Sequence, residues 1–423
     1  MTSPDRLATP TGPSFLDDIP DGDREAAGDR EELVERVRHW LVAHEEEPTP
    51  ARVAAALKAE GRIVGNAVIM EVLAELSSQI SGAGPLEPLL RDPQVTDVLV
   101  NAPDEVWVDR GEGLHRVPIR FSGEIAVRRL AQRFAALAGR RLDDASPYVD
   151  VGMPNGRRLH AILPPIANRG TCLSFRTHRR QAFTVAELTA TGFTPAAGAA
   201  WLHTMIKGRL AFLISGGAGT GKTTLLATLI GLVDPAERIV VVEDSNELAP
   251  DHPHVVRLEA RQPNAEGTGE VTLRDLVRQA LRMRPDRLVV GEVRGGEVID
   301  LLTALNTGHE GSCGTVHANA AADVPARLEA LGAMAALGRN ALHSQLAAGI
   351  ETVIHLVRDC DGQRRLAEIG VLTRQPAGLI DIVPALFLSR SGVVRQGPGH
   401  ARLQALLARQ GQNEPTEEGR GCR

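Results

Sequence analysis

The sequence predicts an α/β protein in which a parallel-sheet domain follows a smaller α+β domain and a helical module. Three observations carry that reading. Between residues 196 and 390, short apolar runs (AFLISG, IVVVED, LVVGEV, SCGTVHA) alternate with helical stretches, as parallel strands covered by helices do. Between 83 and 180, short alternating strands crowd around one helix, the α+β pattern. A glycine-rich loop also joins the first apolar run of the larger domain to a helix.

In chain order, residues 1–29 are rich in Pro, Gly, Asp and Ser without periodicity, which predicts disorder. Residues 30–82 predict a helical module. Leu33, Val34, Val37, Trp40 and Leu41 recur at helical spacing, Thr49-Pro50 opens a second helix, and a third runs from Asn66 to Ile80. In residues 83–180 the runs VTDVLVNA, EVWVDR, LHRVPIRF, YVDVGM, RLHAILPP and TCLSFRTHRR read as strands. A helix over 124–137 carries Val127, Leu130, Phe134 and Leu137 on one face. Residues 181–195, rich in Ala, Thr and Gly, predict a linker. Past Glu351 the larger domain, 196–390, turns antiparallel around Asp361-Gly362, and the polar stretch 391–423 predicts a flexible tail.

Composition narrows the classes. At 423 residues there is room for two or three cores, and 43% hydrophobic with 24% charged residues is ordinary for a soluble protein. No apolar run approaches the roughly 18 residues of a membrane span, and the first residues lack a signal-peptide pattern, so a cytoplasmic protein is expected. Cys172, Cys313, Cys360 and Cys422 are scattered, which suits reduced thiols and argues against a zinc site. A formal charge of -6 argues against a general nucleic-acid partner. Of 47 basic residues only Lys58, Lys207 and Lys222 are lysine.

Lys222 falls where phosphate chemistry calls for an ammonium. Gly216-Gly217-Ala218-Gly219-Thr220-Gly221-Lys222-Thr223 matches the phosphate-binding loop pattern, and Thr224 follows in the first helical turn. Its glycines let backbone N–H groups curl around phosphate oxygens at a helix N-terminus. Lys222 can reach the outer phosphates, and the Thr223 hydroxyl can ligate Mg²⁺. ATP and Mg²⁺ are the expected ligands. Glu243, with Asp244, ends one apolar strand and Glu292 ends another. In a parallel sheet such ends open onto the loop's crevice, where one acid can serve the metal and another the attacking water. Alone, Glu243 would read as an ordinary strand-end carboxylate.

The order of three further motifs makes a family resemblance specific. VEDSNEL (242–248) resembles the Asp box of bacterial type II/IV secretion ATPases, GEVRGGE (291–297) their Walker B, and 307–319, ending in His317, their His box. The stretch from Arg257 to Glu297 is similar to the Tad/CpaF branch that assembles tight-adherence pili, and 82–109 resembles the start of that branch's PAS-like domain. The likeness covers about residues 80–375. It implies a RecA-like ATPase domain, with Glu243 polarising water, Glu292 as Walker B acid near the metal, and His317 sensing the γ-phosphate. The Asp box departs from the branch's usual EDAAEL at Ser245 and Asn246, which leaves both acids in place.

The same resemblance implies that Arg158 and Arg176 close over the nucleotide, and that Arg257 and Arg261, on a loop after the Asp box, approach the site or a subunit interface. His309 reads equally as structural or functional. It further implies a homo-oligomer, a ring of six, peripheral to the inner face of the cytoplasmic membrane and driving pilin or protein export through an inner-membrane platform. Two alternatives stay open: a conjugative DNA-transfer motor of the same superfamily, and a nucleotide-gated scaffold that does not hydrolyse.

Overall fold

The computed structural model describes residues 82–415 apart from 112, 154–155, 178–181 and 264–266, together with parts of 33–73. The expected disorder of 1–29 lies outside the described residues, as does most of the third helix of the first module. What is described of that module packs Val34, Val37, Val53, Leu57 and Val72 into a small core of its own.

The α+β domain is one six-stranded antiparallel sheet in the order β3-β2-β1-β6-β5-β4. Its strands are β1 (Asp97–Ala102), β2 (Glu105–Asp109), β3 (Leu114–Val117), β4 (Tyr148–Gly152), β5 (Arg158–Ile162) and β6 (Cys172–Arg176). Alternation does the sorting: Val98, Val100, Val106 and Val108 point inward and are fully buried, while their chain neighbours face out. The helix Glu124–Leu137 covers the inner face with Val127, Leu130 and Phe134, the last meeting Phe175 edge-on at 5.5 Å.

Register puts one row of residues across the end of this sheet. Asp109 pairs with Asp97, Asp97 with Arg176, Arg176 with Arg158, and Arg158 with Gly152. Two arginines 18 positions apart in sequence thereby become lateral neighbours.

The larger domain is a nine-stranded sheet in the order β15-β14-β13-β12-β7-β11-β10-β8-β9. These are β7 (Phe212–Gly216), β8 (Ile239–Glu243), β9 (Val255–Glu259), β10 (Arg287–Val290), β11 (Cys313–His317), β12 (Thr352–Arg358), β13 (Arg364–Arg374), β14 (Ile380–Leu388) and β15 (Val394–Gln396). The six from β12 to β9 run parallel, and every residue of β7, β8 and β10 is buried because apolar layers cover both faces.

Two boundaries differ from expectation. Part of the 181–195 segment is folded: Thr184 and Glu187 form a capping box on the helix Val185–Ala190, and Leu188 and Phe193 are buried with Trp201 in the core of the larger domain. The segment 391–423 is no free tail over its first half. It contributes β15 and the helix His400–Arg409, which buries Leu403, Leu406 and Leu407 against the same core. Polarity misled here because the helix is amphipathic and short. Strand β14 carries Pro384, which the ladder accommodates opposite Gly370, where the register shifts.

Leu407→Ala should therefore destabilise the larger domain by about 2–5 kcal/mol, the usual cost of emptying a buried leucine site. Urea unfolding followed by tryptophan emission checks this, since Trp201 lies 5.5 Å from His400 of the same helix. An unchanged midpoint would restore the mobile tail.

Candidate nucleotide site

Strands β7, β8, β10 and β11 end at one edge of the sheet, and each delivers chemistry there. After β7 the chain turns through Gly216–Gly221 into the helix Lys222–Ile230. Glycine is required at two points. Gly221 caps the helix at φ 93°, and a Cβ on Gly216 would stand 2.7 Å from both Leu356 O and Thr220 Oγ1. Lys222, 7% exposed, donates from Nζ to Gly216 O at 3.0 Å and Gly217 O at 2.8 Å, with His317 Nδ1 at 3.3 Å. Burial, outweighing the attraction of Glu292, pulls the ammonium below its usual range.

Because Lys222 can only donate, His317 Nδ1 is the acceptor in that contact. The proton of the neutral ring then sits on Nε2, which faces Glu292 Oε1 at 2.9 Å. Burial and the neighbouring Lys222 hold His317 below its usual pKa and favour this neutral form. Glu292 also accepts from Arg294 at 2.6 Å. Burial works to raise Glu292, but Arg294, His317 and Lys222 together bring it below the ordinary carboxylate range.

Glu243 is in a different state. It is 4% exposed, and Oε1 accepts from the backbone N–H of Leu248 at 2.9 Å and of Glu247 at 3.3 Å. Its methylene passes over Gly291, where any Cβ would lie 2.7 Å from Glu243 Cγ. Burial pushes its carboxyl up to about 8. No hydrogen bond to Oε2 comes from a described residue, and Glu243 borders a recess of about 30 Å³, room for a water molecule. Thr223, Glu292, Arg294 and Arg158 border the same recess.

Of the arginines singled out from sequence, Arg158 is held by Asp150 and reaches Glu247 of the other domain at 3.8 Å. Arg176, exposed and beside it in the row, acts electrostatically on Lys222. Arg257 and Arg261 do not reach this recess. Arg257 belongs to edge strand β9, not a loop, and braces the Asp-box turn through Asn246 Oδ1 at 3.2 Å and Leu248 O at 3.0 Å. Arg261 donates to Gly269 O and lines an adjoining cleft of about 400 Å³ between the two domains, which shares Arg158, Asp244 and Ser245 with the recess. His309 donates to Ala304 O at a helix end, a structural contact.

Arg294 was missed. It stands two residues beyond Glu292, a spacing that puts both side chains on one side of an extended segment, so the signal lay in GEVRGGE itself.

The residues present fit Mg²⁺ and a nucleotide polyphosphate. The loop backbone is shaped for close approach, Lys222 supplies positive charge, and Thr223 shares its recess with Glu243 and Glu292. No cluster of His, Cys, Asp and Glu able to hold another metal occurs among the described residues, nor does a helix long and apolar enough to cross a membrane.

A putative conjugal transfer protein of Mycobacterium tuberculosis is 59% identical over 327 residues, 76% of this chain and 93% of that protein. The VirB11 protein of Agrobacterium fabrum is 30% identical over 55% of this chain and 75% of its own length. The crystal structure of the Brucella suis VirB11 ATPase in complex with sulphate is 25% identical over 67% of this chain and 94% of that one, with a TM-score of 0.36. The family model described as "Type II/IV secretion system protein" matches residues 79–412. The phosphate loop, the two strand-end acids and the histidine thus sit inside that matched region, and the chain belongs to the type II/IV secretion system protein family.

Proposed function

We propose that this protein is an ATP-hydrolysing motor of a secretion system. The observation that carries it is the convergence of Thr223, Glu243, Glu292 and, from the other domain, Arg158 on one water-sized recess beside Lys222. On binding, Lys222 exchanges its loop carbonyls for the outer phosphates. A magnesium ion held by Thr223 Oγ1 and, through water, by Glu292 would offset phosphate charge. Glu243, anchored at Oε1, presents Oε2 to the attacking water, and an acid held near 8 is matched to proton transfer near neutral pH. His317 links Lys222 to Glu292, so a γ-phosphate that engages Lys222 alters the contact on Glu292. Arg158 and Arg176 add positive charge from the facing domain, and a ring of six would pass the resulting domain rotation to a membrane partner.

Two cargo readings follow. Similarity of residues 257–297 to the pilus-assembly branch supports pilin or protein export through an inner-membrane platform, with this chain peripheral to the membrane's cytoplasmic face. The similarity to the mycobacterial conjugal transfer protein supports a conjugative DNA-transfer motor instead. A steep loss of DNA affinity with salt would favour the second, and retention by the platform protein in detergent would favour the first.

Lys222→Ala should abolish phosphate release and weaken ATP binding while leaving the fold intact; wild-type turnover would remove the site assignment. Glu243→Gln should keep ATP binding and lose most turnover, because only the transition state loses an interaction. Glu292→Gln should in addition alter the Mg²⁺ requirement. Normal hydrolysis by the Glu243 variant and none by the Glu292 variant would exchange the two roles.

The raised pKa of Glu243 has a thermodynamic sign. The folded protein keeps a proton that the unfolded chain releases near 4.5, so this contribution is fully present below that pH and fades as pH rises through about 8. Glu243→Gln removes the dependence. Its melting temperature, relative to wild type and without nucleotide, should rise between pH 6 and pH 9; a pH-independent difference would contradict the buried, protonated carboxyl.

Assembly is tested by sedimentation with Mg²⁺ and a non-hydrolysable ATP analogue, alongside specific activity over a dilution series. A closed ring and activity that falls on dilution are expected. A monomer with constant activity per chain would leave a simple ATPase.

A further inference from the structure

The β12–β13 hairpin brings two more guanidinium groups to the phosphate loop. A Cβ built on Gly219 would lie 3.8 Å from Arg358 Nη1, and one on Gly221 would lie 3.9 Å from Arg364 Cδ. Neither arginine has a described carboxylate within ion-pair distance. Arg358 donates to Gly362 O at 3.2 Å inside its own turn. The hairpin's acids are already engaged, Asp359 by Arg365 and Arg390, and Asp361 by Arg390. Across the domain boundary Asp97 and Asp109 attract Arg364 only from longer range, whereas Arg358 and Arg176 repel it, and burial together with those like charges pulls its pKa down. Like charges gathered at a phosphate loop, with no described carboxylate in ion-pair reach, raise the local potential for an anion.

Strand order says which part of the anion. Lys222, His317 and Glu292, which would meet the γ-phosphate and metal, cluster toward β11 and β10 on one side of β7. The hairpin starts from β12, on the other side of β7. A triphosphate lying along the loop therefore directs its ribose-proximal end at the hairpin.

We propose that Arg358 and Arg364 form a further arm of the nucleotide site that binds the ribose-proximal phosphates of ATP and ADP alike. The proposal rests on the ATPase reading and deepens it. It separates these residues from His317, whose contacts would distinguish ATP from ADP.

The test is equilibrium binding of fluorescent N-methylanthraniloyl ADP and ATP to the full chain in Mg²⁺. Arg358→Ala and Arg364→Ala should each weaken both nucleotides by about tenfold, the effect of one charge-assisted hydrogen bond, with Arg364→Lys recovering part of the loss and KM rising more than kcat falls. Asp97→Asn should not weaken ADP. Unchanged ADP affinity in both alanine variants overturns the proposal. So does an equal loss in Arg364→Ala and Asp97→Asn, which would make Arg364 an electrostatic strut between domains. Wild-type chain that retains neither nucleotide would overturn the ATPase reading itself and the arm with it, a result distinct from the other two.

Discussion

The site is organised around an ammonium that its own loop keeps from water. Lys222 satisfies its donors on Gly216 O, Gly217 O and His317, so the loop's shape, the lysine's position and the end of β11 are fixed together. A buried cation is costly unless hydrogen-bonded, and here the partners are groups a phosphate can replace. The contact continues through His317 to Glu292 and through Glu292 to Arg294. Three contacts therefore connect the β7 loop to the end of β10.

The second domain meets this chain with a charge pattern set by strand register. The row from Asp109 to Gly152 runs from acidic to basic: Arg158 meets Glu247 of the Asp box, Arg176 lies within electrostatic reach of Lys222 and Arg364, and Asp97 and Asp109 attract Arg364 of the hairpin. Neighbouring antiparallel strands hold Arg158 and Arg176 side by side, an arrangement that repels itself and is relieved by Asp150 and Glu247 only on the Arg158 side. Gly152 completes the contact: a Cβ there would press to 3.1 Å from Glu259 Oε1. Beyond it lies the cleft of about 400 Å³ between the domains.

The same physics divides the two carboxylates. Glu292 is surrounded by cations and stays ionised, while Glu243 is surrounded by apolar strand ends and two backbone amides and holds its proton to about 8. Two acids of one type, one ending its strand and the other two residues beyond its strand, thereby differ in protonation at neutral pH.

By itself the sequence determined the parallel sheet, most strands of both domains and the strand, glycines and helix of the phosphate loop, and it singled out Glu243, Glu292 and His317 as candidates, because each depends on local pattern: a buried strand is a continuous apolar run, and a phosphate loop is a strand, glycines and a helix in order. It did not determine where the fold stops. The helix His400–Arg409 and the capping box at Thr184 look polar or bland one residue at a time, and only burial against Trp201 and its neighbours makes them core. Nor could it choose among the many arginines. Arg158 reached the recess while Arg257 did not, and Arg294, Arg358 and Arg364 arrived unannounced, because a guanidinium's role depends on which strands lie side by side. That is a matter of register and sheet order, and the tertiary structure alone decides it.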